Sequence, residues 1–277
     1  MPNHIEDLLS AADVADPSFS FSYGDLMRVS ETGEIISRNF LKAINRHPLT
    51  DVSVMLRHNM YILPSATLIK RSAFLTVGGF DESLRGFEDD DFFLRLHLSG
   101  YGSRYINKEV TAWTVNSAST SFSEDMCRSR FLYFSKLYKH FSSKDYLDFQ
   151  GDDKVFRNFL FPRFSVNFAN DVVASSLGGG LYHLERVNRL KLFRQIVRRD
   201  KSLKIAKKWT FQIATLPLVT LGRDFQGVLL LTLIRILGFT GDFGIHSLKE
   251  FMRLHSGTKE FIDKSLWVSN QKPHEVL

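Results

Sequence analysis

Asp81, Glu82, Glu88, Asp89, Asp90 and Asp91 crowd six carboxylates into eleven positions, the last four consecutive. Adjacent carboxylates repel one another, so such a run must be solvated, bound to a cation or turned toward a polar cleft. The residues after it follow a helical apolar pattern that must bury Phe93, Leu94, Leu96 and Leu98. A helix start anchored by packing holds its charge in place, where a free loop would dissipate it. A helix N-terminus also favours acidic side chains, so a purely structural role stands beside the chemical one.

The stretch from Gly78 to Leu96, Gly-Gly-Phe-Asp-Glu-Ser-Leu-Arg-Gly-Phe-Glu-Asp-Asp-Asp-Phe-Phe-Leu-Arg-Leu, resembles the second signature of the family 2 glycosyltransferases, inverting enzymes of the GT-A fold. The acceptor-side Gly-Gly-Phe-Asp-Glu loop corresponds to residues 78–82, the Glu-Asp pair to Glu88 and Asp89, and Leu-Arg-Leu to residues 94–96. Phe21-Ser22-Tyr23-Gly24-Asp25 resembles the mid-domain strand of that family, and residues 62–71 the strand feeding the acceptor loop. The similarity spans about residues 1–125 and is most specific over 59–98. It implies an α/β fold: an incomplete GT-A-like (Rossmann-like) domain, followed by a mostly helical C-terminal region.

In the family the nucleotide-sugar half comes first, as a βαβ unit and an Asp-x-Asp motif that binds a divalent cation, Mg or Mn. The first residues here resemble the helix just after that motif, so the expectation is an acceptor-side half without its donor half. Asp89-Asp90-Asp91 is literally Asp-x-Asp, but its place after the Gly-Gly-Phe-Asp-Glu loop assigns it to the other acidic motif. The metal ligands are therefore unknown, and a second polypeptide is a possible source of the donor site. The missing half counts against activity of this chain alone.

By resemblance, Asp89 is the base that takes the acceptor hydroxyl's proton as it attacks the anomeric carbon. Neighbouring acids that raise its proton affinity suit the task. Glu88 would shape the acceptor site, Asp81 would hydrogen-bond sugar or acceptor, and Glu82 completes the loop. Gly78 and Gly79 would let the backbone approach the substrate. The structural alternatives are a helix N-terminal charge for Asp89 and an Asx-turn for Asp81. Asp90 and Asp91 read as solvent-facing or helix-cap acids. His58 could approach the cleft, though a lone histidine is more often a structural hydrogen-bonder.

At 277 residues, with 44% hydrophobic and 24% charged residues, one or two globular domains are expected. The single Cys127 excludes an intramolecular disulfide and every multi-cysteine metal site. Residues 1–125 hold 11 Lys/Arg against 17 Asp/Glu, and residues 126–277 hold 25 against 13. This asymmetry predicts an acidic domain over 1–122 and a basic, helical region over 123–277.

Along the chain, a helix is predicted over residues 5–12 and a strand over 19–29, with Phe19, Phe21 and Tyr23 on one face. A hairpin turn follows at 31–34, with Gly33 at positive φ. Further expectations are helix 52–58, buried strand 66–69, a helical turn capped by Ser72, and helix 88–99 closed by Gly100. Strands follow at 103–106 and 110–115. Helices are then predicted over 124–140, 153–176, 183–208, 224–237 and 244–266, with residues 178–180 as a glycine joint.

Residues 186–208 hold ten Lys/Arg against the single Asp200, interleaved with apolar residues. The apolar segments 209–221 and 225–234 are too short to span a bilayer. Residues 186–240 therefore predict contact with an anionic membrane surface. A helical subdomain with a solvated basic face is the plainer alternative, and nucleic-acid binding has no motif behind it. The amino end lacks the pattern of a secretory signal, so the expected location is cytoplasmic, peripheral on the inner face of the plasma membrane. Together these features predict transfer from a nucleotide sugar to a saccharide or glycolipid acceptor in cell-surface polysaccharide synthesis. The alternative is a truncated, inactive binding or scaffold protein.

Overall fold

The computed structural model describes residues 1–115, 124–142, 154–177 and 182–222. The chain divides into two compact units, Met1–Leu160 and Phe161–Leu277.

The first unit is mixed α/β. Its elements are α1 (His4–Ser10), β1 (Phe19–Val29), β2 (Ile35–Ser37), α2 (Phe40–Ile44), α3 (Val52–Arg57), β3 (Thr67–Ile69), α4 (Arg71–Thr76), α5 (Glu88–Leu98), β4 (Gly102–Thr114) and α6 (Glu124–Ser142). Helix α6, read from sequence as part of the C-terminal region, lies within this unit.

β1 is the spine of the sheet. β4 runs parallel to it along its whole length, from Phe19 opposite Gly102 to Val29 opposite Thr114. β3 pairs antiparallel with Phe21, Ser22 and Tyr23, and β2 with Arg28 and Val29. Phe19, Phe21 and Tyr23 share a buried face as predicted, but Ser20 and Ser22 on the other face are buried too. Each serine is satisfied there: Ser22 Oγ donates to the Leu8 carbonyl at 2.7 Å and Ser20 Oγ to that of Gly102 at 2.8 Å. A strand buried on both faces is what a parallel pairing requires.

The predicted hairpin turn forms, closed by Ser30 N–H to Glu34 O at 2.8 Å, with Gly33 at φ +84°. The two strands expected at 103–106 and 110–115 are instead one strand. The pairing steps from Gly24–Ile106 to Asp25–Glu109, so Asn107 and Lys108 bulge out of the ladder without ending it. Ser72 does not cap α4. The helix starts two residues earlier than that cap implies, at Arg71, with Lys70 in the N-cap position directly after β3 and its N–H bonded to Ser20 O at 2.7 Å.

The second unit contains α7 (Phe161–Leu177), α8 (His183–Arg199) and α9 (Ile205–Thr220). Phe161, Phe168, Phe193 and Phe211 meet in its core, with Phe193 5.0 Å from Phe168 and 5.6 Å from Phe211. The single helix expected over 183–208 breaks between α8 and α9. Asp200 there accepts the Ser202 and Leu203 amides and the Ser202 hydroxyl, and these local bonds compete with helix continuation. No helix among the described residues is long and apolar enough to cross a membrane. The helices expected at 224–237 and 244–266, and the joint at 178–180, lie outside the described residues.

Candidate active site

The acidic run spans the loop after α4 and the first turn of α5, and both helices end on glycines. α4 ends with Gly78 N–H on Leu75 O at 3.1 Å and Gly79 N–H on Phe74 O at 3.0 Å, with both glycines at positive φ. This pair of bonds is a Schellman closure, which needs a residue that tolerates the left-handed region. Helix termination is therefore sufficient reason for Gly78. A Cβ on Gly79 would in addition lie 3.0 Å from the Phe74 ring. α5 ends the same way as predicted, with Gly100 N–H on His97 O and Tyr101 N–H on Leu96 O.

Between the helices, aromatic packing fixes the loop. Phe80 lies 4.8 Å from Phe92 on α5 and 5.7 Å from Phe74 on α4, and Phe93 continues the contact to Phe21 of β1 at 4.7 Å. The loop then enters α5 through Phe87, which holds φ +67° although it is not glycine. Its ring is buried and stacked on Tyr133 of α6 at 5.5 Å. Packing thus enforces a conformation that costs about 1–3 kcal/mol elsewhere, a feature that concentrates at functional sites.

The four consecutive acids go four separate ways. Glu88 turns back, its Oε2 accepting the Gly86 amide at 2.6 Å. Asp90 Oδ1 accepts the Met60 amide at 3.1 Å. Asp91 is held by Arg95 at 2.8 Å and Lys136 at 2.7 Å. Asp90 and Asp91 are therefore interior residues, 4% and 2% exposed, and not the solvent or cap acids the sequence predicts. The apolar helix rolls them inward, where an amide and two cations meet them.

Asp89 is left as the distinctive one. It is half-buried, and its Oδ1 accepts the Asp90 amide at 2.8 Å. No cation among the described residues pairs with it. Burial first, and then the charges of Asp90 and Glu88, push its carboxyl up from 3.8 to about 7.

Asp81 has the opposite electrostatics. Lys136 Nζ lies 2.8 Å from its Oδ2, and Ser83 donates its amide and hydroxyl to Oδ1. These contacts, the lysine's the largest, lower its pKa to about 2. The Ser83 bonds make it the Asx-type turn weighed above. Lys136 thus bridges Asp81 in the loop and Asp91 in the helix. Arg95 ties the same parts together, donating to Asp91 and to the carbonyls of Val77 and Gly79. Glu82 is exposed and His58 is exposed at the end of α3.

Sequence reading did not single out Arg95 or Lys136. The Asp91–Arg95 spacing of four on a helix was a readable signal, whereas Lys136 becomes a partner only through the packing of α6. It also missed Asp25, fully buried in β1. That carboxylate accepts the Leu26, Leu41 and Lys42 amides and the Tyr105 hydroxyl, capping α2 from a distant strand.

Residues 35–154 match the family model of the glycosyltransferase-like family 2. Over this segment the chain is similar to that family, in line with the motif over 78–96, and the match supports a glycosyltransferase-like reading. No curated protein and no solved structure matches the chain. The family is typically metal-dependent, yet the acidic run does not fit a divalent cation. Both oxygens of Asp91 are taken by Arg95 and Lys136, and Asp90 points to Met60. Among the described residues, no three His, Cys, Asp or Glu side chains gather as a metal site.

Proposed function

We propose that the chain takes part in inverting glycosyl transfer from a nucleotide sugar to a saccharide or lipid-linked acceptor, with Asp89 as the general base. The observation that carries this reading is the contrast within one short run. Asp90 and Asp91 are consumed by structural bonds, while Asp89 stays free of cations with its proton affinity raised to about 7. A base titrating near the working pH is both available and strong enough to take a proton from a hydroxyl. The hydroxyl oxygen attacks the anomeric carbon, its proton passes to Asp89, and the bond to the nucleoside diphosphate breaks on the opposite face. Glu88, Asp81, Glu82, Gly78 and Gly79 are the proposed acceptor-side lining, and cell-surface polysaccharide or glycolipid is the proposed product class.

The test is transfer by the full chain from a panel of nucleotide sugars, with Mg or Mn supplied, alongside calorimetry with the same nucleotides. Turnover that falls about 10²–10⁴-fold in Asp89→Asn, with nucleotide affinity retained, supports the base assignment. Equal loss in a variant of an exposed acid outside the acidic run, such as Glu6→Gln on α1, would reject it. Absence of turnover and of nucleotide binding favours the second reading, a binding or scaffold protein with an acceptor-side fold. Turnover that appears only with an added partner chain would assign the donor site to a second polypeptide.

A further inference from the structure

Helix α9 carries an apolar face that, among the described residues of its unit, nothing covers. Ile205, Trp209, Ile213 and Leu216 are 73%, 64%, 66% and 48% exposed. Spaced by four, four and three, they share one side of the helix, within an arc of about 80°. The helix is not free to roll this face inward. It is held in place by Phe211 packed on Phe161 and Phe193, and by Gln212 and Thr215 bonded to the buried Arg194.

The charge beside this face has one sign. Arg198, Arg199, Lys201, Lys204, Lys207 and Lys208 lead into and begin α9, against the single Asp200, and α9 itself contains no acid. Asp200 accepts local amides in the α8–α9 turn. Lys201 and Lys204 are exposed and form no hydrogen bond or ion pair among the described residues. Cations at a helix N-terminus oppose the helix dipole, so helix stability does not explain their placement. An apolar strip with a tryptophan, edged by unpaired lysines, matches a bilayer interface carrying anionic headgroups. A second copy of the chain would bring the same cations face to face.

We propose that α9 lies in the headgroup region of an anionic bilayer, with Ile205, Trp209, Ile213 and Leu216 toward the acyl chains and Lys201 and Lys204 on lipid phosphates. This narrows the expectation that residues 186–240 make the contact to α9 and the lysines that lead into it. Arg186 and Arg194 of α8 are buried, with Arg194 committed to α9. The proposal does not depend on the reading of Asp89.

The full chain is sedimented with phosphatidylcholine vesicles, with and without phosphatidylglycerol, and tryptophan emission of the parent and of Trp209→Phe is followed against chain-brominated lipid, the difference reporting Trp209 beside Trp113 and Trp267. Expected are binding to the phosphatidylglycerol vesicles and a component of bromolipid quenching that is lost in Trp209→Phe. Ile213→Glu should lower partitioning by about tenfold or more, since a charge replaces a buried aliphatic group. Lys201→Gln and Lys204→Gln should each weaken it by about fivefold, on anionic vesicles only. Circular dichroism and the melting midpoint verify that each surface variant is folded. No binding to anionic vesicles overturns the proposal, as does binding that Ile213→Glu leaves unchanged. A concentration-dependent dimer broken by Ile213→Glu would assign the face to a second copy. Trp209 already shielded from aqueous quenchers without vesicles would assign it to another part of the chain.

Discussion

At the scale of single residues, the acidic run shows how little neighbouring carboxylates have in common once folded. Asp81 is held as an anion by Lys136, whereas Asp89 is driven toward its neutral form by burial and by Asp90. For Asp89 the folded pKa, about 7, lies above the ordinary carboxyl value of 3.8. Between those values the folded protein binds a proton that the unfolded chain does not, so stability falls as pH rises through this window. Asp89→Asn removes that penalty. Its melting midpoint should exceed that of the parent above pH 7 and converge with it below pH 4, as calorimetry across pH would read. In an activity assay the parent should show an ascending limb centred near pH 7, because only deprotonated Asp89 takes the proton. Lys136→Met makes the converse case. It should move the Asp81 carboxyl up from about 2 toward 3.8 by NMR titration. Leaving Asp91 with Arg95 alone should cost about 1–3 kcal/mol by urea unfolding. For Asp81, whose folded pKa is depressed, the stabilisation is present above 3.8 and lost as pH falls through about 2.

At the scale of elements, the site rests on how α4 and α5 end and begin. Gly78→Ala would force a Cβ into φ +80°, so a loss of about 1 kcal/mol is expected although nothing lies within 4 Å of that Cβ. Gly24 differs, because a Cβ there would lie 2.5 Å from Val110 Cγ1 across the β1–β4 pair. Gly24→Ala should therefore cost more, about 1–3 kcal/mol by thermal or urea unfolding. The remote cap from Asp25 gives a local readout. Asp25→Asn should speed amide exchange at Leu41 and Lys42, at the start of α2, ahead of the sheet amides. Elements with a local cause were readable from sequence, such as the turn at Gly33 and the closure of α5 at Gly100. Those decided by a distant partner were not. β4 continues through a bulge because β1 offers a ladder on both sides of it, and α8 and α9 separate at the Asp200 turn despite an unbroken helical pattern.

At the scale of the whole molecule, the charge asymmetry, −6 over residues 1–125 and +12 over 126–277, has a measurable consequence. Vesicle partitioning should weaken steeply between 0.1 M and 1 M salt, as the screening length falls from about 10 Å to about 3 Å. A purely apolar contact would not show this. The sequence alone determined the α/β character, the resemblance to the glycosyltransferase family and the acidic motif, because residue type, spacing and helix period are local properties. Tertiary structure decided which acid is free. It turned Asp90 and Asp91 inward, brought Lys136 to two carboxylates distant in sequence, and buried Arg194 while exposing Trp209. Charge, solvation and proton affinity depend on what lies within a few ångströms, and only folding determines those neighbours.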